Sequence, residues 1–181
     1  MLMKNKLDFS QIDRYGITLR LVEENDAEFI LQLRNDSILN KHLSPTSNII
    51  DDQINWILKY KVREAKGLEY YFITIGPNGE KWGTTRLSEL EGDCFELGSW
   101  LFSKQAPQGV SIKADILTKE IGFDLLNFES CKFNVRKANK SVLKYHMNFR
   151  PTIVDESEID IFFNLSKENF IEAKKRFIKI V

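Results

Sequence analysis

Hydrophobic positions along the chain recur at two different spacings, and this separates predicted strands from predicted helices. Alternation, with β-branched and aromatic residues between turn residues, predicts strands at 17–22, 69–75, 81–90, 94–102, 132–137 and 158–165. The turns Pro77-Asn78-Gly79 and Glu91-Gly92-Asp93 join the second, third and fourth of these strands into a meander.

Apolar residues at spacings of three and four predict five helices. The longest is expected over about 109–128, where the apolar stripe comprises Val110, Ala114, Leu117, Ile121, Leu125 and Phe128. The others are expected at about 25–36, 51–66, 139–148 and from Ser166 onward. A strand meander followed by a long helix and further strands predicts an α/β (α+β) fold, with a mixed sheet and helices on both faces.

A single domain is expected, because neither a repeat nor a Pro/Gly/Ser-rich linker divides the 181 residues. We expect residues 1–14 to form a loosely held lead-in and residues 15–181 to form the domain.

Composition narrows the class of protein. The 43% apolar residues and 13 Phe are enough for a real core, which excludes a disordered chain. The 26 Lys and Arg are balanced by 26 Asp and Glu, which argues against a nucleic-acid binder. Cys94 and Cys131 match no zinc spacing, and we expect no metal. No apolar run suggests a signal peptide or a membrane span, so we expect a soluble cytoplasmic protein.

Three segments, taken in order, resemble the GNAT N-acetyltransferase superfamily, in its branch of ribosomal-protein and amino-sugar acetyltransferases. The first, 95–101, has the sequence FELGSWL and resembles the family's fourth strand. The second, 107–112, opens the long helix where the family has its pyrophosphate loop. The third contains Val135, Asn139, Val142 and His146 and resembles the pattern Val-x-x-x-Asn-x-x-Ser-x-x-x-Tyr. The resemblance covers about residues 17–154.

The resemblance implies a mostly antiparallel, twisted sheet of 6–7 strands, in which the fourth and fifth strands of the family splay apart. It also implies acetyl-CoA as co-substrate, with its pantetheine arm filling the gap as a pseudo-strand. The cofactor-binding residues would be Trp100, Leu101, Phe102, Gln108, Gly109, Val110, Ser111, Ile112 and Asn139. The chain departs from the family at Ala106 and Ser111 of the loop, and it has His146 in place of the family's Tyr.

Glu96 is the candidate general base. Acetyl transfer needs a neutral amine, and a carboxylate near the acceptor can take the proton of the ammonium group. The alternative is an ion pair with Arg86 or Arg136, and the two roles are compatible.

His146 is the favoured candidate to protonate the departing thiolate, because it lies seven residues after Asn139 and therefore on the same helix face. Tyr145 is the neighbouring alternative. If Glu96 is the base and His146 the acid, the pH profile of kcat/KM should be bell-shaped, with an alkaline limb that depends on His146.

The resemblance builds the acceptor side from the first two helices, the loop between them, and the family's third and fourth strands. The candidate substrate-binding residues are Arg34, His42, Ser44, Trp56, Tyr70 and Arg86. We favour a nucleotide-linked amino sugar, as in surface-polysaccharide biosynthesis, with no nucleic-acid or membrane partner. A homodimer, protein N-terminal acetylation and a catalytically silent CoA-binding module stay open.

Overall fold

An eight-stranded sheet organises the chain, whose structure, a computed structural model, describes residues 6–42 and 47–177 without the side chains of Asn40 and His42. The strands are β1 (Gln11–Arg14), β2 (Ile17–Leu21), β3 (Tyr70–Ile75), β4 (Lys81–Glu91), β5 (Cys94–Phe102), β6 (Ser130–Arg136), β7 (Thr152–Glu156) and β8 (Asp160–Ser166). The helices are α1 (Ala27–Asn35), α2 (Ile50–Ala65), α3 (Val110–Glu120), α4 (Lys140–Met147) and α5 (Lys167–Phe177).

The strand order across the sheet is β1-β2-β3-β4-β5-β6-β8-β7. Every neighbouring pair is antiparallel except β5 and β6, which run parallel and are connected through α3. The predicted mixed, mostly antiparallel sheet is therefore confirmed.

The sheet has more strands than the 6–7 expected, because β1 and β7 carry no alternating apolar pattern. The sequence of β1 is QIDR, and this strand pairs with β2 from within the segment 1–14 that was expected to be a loose lead-in. All five residues of β7 are exposed, and the strand is held only at the sheet edge by β8. Backbone pairing, not burial, defines both strands.

The two faces of the sheet bury two separate apolar clusters, and β3 contributes to both. Tyr70 and Phe72 face the larger cluster, which also takes in α3 and α5. Tyr71 and Ile73 face the smaller cluster beneath α1 and α2. This alternation places α1 and α2 on one face and α3 and α5 on the other. No helix of the described residues has the length and apolar character to cross a membrane.

The end of α3 is tied closely to β5. After Glu120 the chain continues as a wider π-helical turn, Ile121–Leu125. Within it, Gly122 lies directly against the ring of Phe95, which is fully buried and packs edge-on against Phe123 and Phe128. A side chain at position 122 has no room.

Replacing Gly122 by Ala is therefore expected to destabilise the fold, because the added methyl group would overlap the Phe95 ring and that ring is itself confined. We expect the free energy of unfolding to fall by about 1–3 kcal/mol in urea denaturation. The matched control is Gly98→Ala, whose added methyl group meets no atom within 4 Å, with an expected change of about 0.5 kcal/mol or less. Equal stability of the two variants would contradict this packing.

Candidate active site

The parallel strands β5 and β6 pair only at their beginnings. Cys94, Phe95 and Glu96 are in register with Ser130, Cys131 and Lys132, and the pairing ends there. Beyond that point the strands enclose a cavity of about 630 Å³. Residues that line it from the two strands and from α4 include Glu96, Gly98, Ser99, Trp100, Leu101, Phe102, Phe133, Asn134, Val135, Arg136, Asn139, Ser141, Val142 and His146. The edge of β5 from Leu97 to Phe102 therefore faces an opening rather than a strand.

A bulge in β5 lies at the centre of this opening. Thr84 is opposite Leu101 and Arg86 is opposite Gly98, so β5 contains one residue more than β4 over this stretch. Ser99 has a positive φ of 50°, and its carbonyl accepts a hydrogen bond from the Thr84 hydroxyl at 2.7 Å. The bulge fixes the direction of the β5 backbone where the cavity is lined by Gly98 and Ser99.

The first turn of α3 is braced against β5. Gly109 precedes the helix with φ of 85°, a conformation that suits glycine, and the indole N–H of Trp100 donates to the Ser111 carbonyl at 2.9 Å. The Val110 N–H donates to Pro107. A helix leaves its first N–H groups without intrahelical partners, so those of Ser111 and Ile112 remain for a ligand.

The other residues predicted for this loop contribute less. The side chain of Val110 is buried in the core, that of Ile112 packs partly against it, and Gln108 is exposed. Asn139 lines the cavity, and its side chain caps α4 by accepting from the Val142 N–H. The binding capacity of the α3 start lies in its backbone.

Glu96 lies at the point where the two strands part. Among the described residues, no cation is within ion-pair distance of it, because Arg86 pairs with Glu69 and Arg136 pairs with Asp160. Burial, together with the nearby charge of Glu89, raises the pKa of Glu96 above its usual 4.5, and Lys132 opposes this shift. The geometry favours a proton acceptor over the ion pair that was the alternative.

His146 is buried between the two strands. Its ring centre lies 4.5 Å from that of Phe133 on β6 and 5.5 Å from that of Trp100 on β5, and its Nδ1 atom has no hydrogen-bond partner among the described residues. Burial, with a smaller contribution from Lys119, lowers the pKa of His146 from 6.5 to about 3. The imidazole is therefore neutral near pH 7, which corrects the expectation of a cationic general acid with an alkaline limb.

Tyr145 is not in the described lining of this cavity, but it contacts two residues that are, Trp100 and Asp115. Its hydroxyl donates to Asp115 of α3 at 2.5 Å, and the same carboxylate oxygen pairs with the buried Lys119. Burial and the Asp115 charge raise the pKa of Tyr145 well above 10. Tyr145 thus joins α4 to α3, and its hydroxyl is engaged with Asp115.

Asp115 and Lys119 were not anticipated from the sequence. Four residues apart on a helix, such a pair is typical of an exposed face, and only the structure reveals that both are buried. Among the described residues, no group of three or more His, Cys, Asp and Glu could hold a metal ion.

A second cavity, of about 330 Å³, opens between α1, α2 and the sheet. Its lining brings together three of the predicted substrate-binding residues with others that were not predicted: Ile30, Arg34, Ser47, Asp52, Gln53, Trp56, Tyr71, Arg86 and Ser99. Arg34, Arg86 and Ser99 also line the first cavity, so the two spaces meet at these residues.

Of the other three predicted substrate-binding residues, only Tyr70 has a described side chain, and it is not part of this lining. Tyr70 lies on the opposite face, in the larger core, where its hydroxyl accepts from the Leu7 N–H, and its neighbour Tyr71 takes the expected place. A one-residue change of register along a strand reverses the face. Ser44 and the side chain of His42 lie outside the described residues.

A family model described as an acetyltransferase (GNAT) domain matches residues 17–149. The chain belongs to the GNAT acetyltransferase family. In this family's terms, β5 and β6 are the fourth and fifth strands, and their separation confirms the expected splay.

Solved structures agree with this assignment. FdhC, described as a nucleotide-linked sugar GNAT, is 34% identical, with a TM-score of 0.85 over 95% of this chain and 98% of the other. A ribosomal-protein-S5-alanine acetyltransferase from Vibrio fischeri is 17% identical, with a TM-score of 0.75 over 88% and 98%. A spermidine N-acetyltransferase from Vibrio cholerae, solved with CoA and spermine, is 14% identical, with a TM-score of 0.74 over 87% and 99%. No curated protein sequence matches the chain significantly.

The buried site of His146 makes a direct prediction for its ionisation. We expect NMR of the chain's two histidines to show that His146 keeps a neutral imidazole from pH 8 down to pH 5, because its pKa is lowered to about 3. His146→Gln assigns the signal by removing it. A His146 resonance that titrates between pH 6 and 7 would contradict the burial described here.

Proposed function

We propose that this GNAT enzyme transfers the acetyl group of acetyl-CoA to the amino group of a nucleotide-linked amino sugar, by direct attack within a ternary complex. The observation that carries the proposal is a continuous site, in which the first cavity, a wedge between β5 and β6 that suits CoA, meets the second, arginine-lined cavity at Arg34, Arg86 and Ser99. Similarity to FdhC over nearly the whole chain supports the class of acceptor.

The wedge fits the chemistry of CoA. The pantetheine arm carries amide groups, and the strand edge from Leu97 to Phe102 offers main-chain groups on a side where no strand pairs with it. The first N–H groups of α3 suit the pyrophosphate, because a helix start carries partial positive charge. Trp100 supports both elements, since it lies on β5 and its indole holds the α3 start.

Glu96 would prepare the amine for attack. An alkyl or sugar amine is mostly protonated at pH 7, and Glu96 takes one proton from it, directly or through one water molecule. The nitrogen then forms the new C–N bond at the thioester carbonyl as the C–S bond breaks. The remaining extra proton leaves the nitrogen and ends on the departing sulfur, so the products are the amide and the thiol.

His146 contributes as a neutral group in this proposal. Its Nδ1 is enclosed, so Nε2 is the ring nitrogen that can reach the cavity. A neutral imidazole with its proton on Nε2 donates a hydrogen bond to the sulfur as negative charge develops there. This role requires no imidazolium ion.

The experiment that tests the proposal measures release of CoA thiol from acetyl-CoA with a panel of amines. The panel contains nucleotide-linked amino sugars, spermidine and peptides with a free N-terminus. We expect turnover on at least one nucleotide-linked amino sugar, with kcat/KM well above that for the other classes. Turnover on peptides alone would support protein N-terminal acetylation instead, and CoA binding without any turnover would support the silent module.

The ionisation of Glu96 is expected to set the acidic limb in the pH profile of kcat/KM. Because the base must be ionised, kcat/KM should fall as the pH drops through the raised pKa of Glu96. Glu89→Gln removes a charge that raises this pKa and should move the acidic limb to lower pH, whereas Lys132→Met should move it to higher pH. Both partners are exposed, so the shifts should shrink in high salt.

The reference for this comparison is Glu96→Gln, which should lower kcat about 100-fold or more while the CoA affinity stays within about twofold. Two results would remove Glu96 from the mechanism. One is an acidic limb that moves in the same direction in Glu89→Gln and Lys132→Met, and the other is full activity of Glu96→Gln.

A further inference from the structure

The junction of the two cavities carries two arginines from different elements. Arg34 is in the last turn of α1, and Arg86 is near the middle of β4. Both line the second cavity, which we call the acceptor cavity, and also the wedge between β5 and β6. A ligand that spans the two spaces must therefore pass them. Guanidinium groups bind phosphate and carboxylate oxygens through paired N–H donors.

Arg86 is held in place by a buried carboxylate. Glu69, directly before β3, has a side chain only 4% exposed. One of its oxygens accepts from the Arg86 Nε at 2.5 Å, and the other accepts from the Arg63 Nε at 2.5 Å. Arg86 makes this pair with Glu69 through its Nε donor and not through the four N–H bonds of its two Nη groups.

Trp56 fixes the same arginine from another direction. The guanidinium carbon of Arg86 lies 5.4 Å from the Trp56 ring centre, and that of Arg63 lies 5.6 Å from it. Trp56 is in turn packed against Tyr60 and Tyr71. Because Arg86 is tethered at Nε and laid on an aromatic ring, its Nη groups hold one orientation relative to the cavity.

The charges around the junction favour an anion. Glu69 is one negative charge shared between Arg63 and Arg86, so these three side chains together retain a positive charge. Among the described residues, the carboxylates near these arginines include Asp52, which accepts from the Ser47 hydroxyl at 2.6 Å, and Glu96 on the wedge side. Two guanidinium groups at the junction suit an anionic group of the ligand, and they do not suit a polyamine.

We propose that Arg86 and Arg34 form an oxyanion site that binds the diphosphate of the acceptor, and that Glu69 is a positioning residue which orients Arg86 for this contact. The inference rests on the proposed function and assigns the part of the substrate recognised at the junction. Its consequence is selectivity: an amine without a phosphate group loses this anchor and is a poor substrate.

Calorimetric titration with uridine and thymidine diphosphates, in the presence of saturating CoA, tests the site without turnover. The wild-type enzyme should bind at least one of these more tightly than the matching nucleoside. Arg86→Met should weaken the diphosphate binding about 10- to 100-fold, because it removes charge-assisted hydrogen bonds. Arg86→Lys keeps the charge without the fork and should fall between the two. The affinity for CoA alone should stay within about twofold in both variants.

The role of Glu69 is tested by kinetics. Glu69→Gln should raise KM for a diphosphate-linked amino sugar several-fold with kcat nearly unchanged, and it should leave KM for a phosphate-free amine unchanged. Lys61→Met is the control: this variant also removes one member of an ion pair, but Lys61, on α2, pairs with Glu64 and Glu23 and lines neither cavity. If Glu69→Gln does not fold, Arg86→Lys carries the same comparison.

Diphosphate binding that is equal in wild type and Arg86→Met would overturn the proposal. So would a wild-type enzyme that acetylates phosphate-free amines as well as diphosphate-linked ones. Failure of the proposed function gives a different result, namely no binding of acetyl-CoA by the wild-type enzyme or no acetylation of any amine.

Discussion

The separation of β5 from β6 depends on one interaction, the insertion of His146 between them. The imidazole contacts Trp100 on one strand and Phe133 on the other, so the two strands cannot close without displacing a buried ring. The indole N–H of Trp100 donates to the Ser111 carbonyl, which holds this ring in place. A hydrogen bond from Tyr145 to Asp115 ties α4 to α3. The opening is thus built into the core.

The same burial sets the chemistry of the groups around the opening. A ring enclosed by aromatic side chains cannot hold a proton near neutral pH, because the charged form has lost its water. Burial acts in the opposite direction on Glu96, where it favours the protonated form and brings the pKa closer to the working pH of a base. In the proposed mechanism, burial therefore keeps His146 neutral and makes Glu96 a stronger proton acceptor.

The sequence predicted the elements whose side chains alternate between core and surface. The stripe from Val110 to Phe128 and the meander through β3, β4 and β5 have such patterns, and the splay followed from the resemblance. β7 escaped prediction because all five of its residues are exposed, so no apolar alternation marks it. Tyr70, a candidate substrate-binding residue by sequence, lies in the larger core instead, because adjacent aromatic residues on a strand both look suited to a ligand and only the register decides between them. For Glu69, the significance lies entirely in tertiary contacts with Arg63 and Arg86, which no local pattern encodes.

The most direct measurement is a crystal structure of the enzyme with CoA. The account predicts that the pantetheine arm lies between β5 and β6, paired with the backbone of Leu97–Phe102, with its sulfur near His146 and Glu96 and its pyrophosphate at the start of α3. CoA bound elsewhere on the surface, or strands that pair along their whole length with His146 expelled, would contradict it.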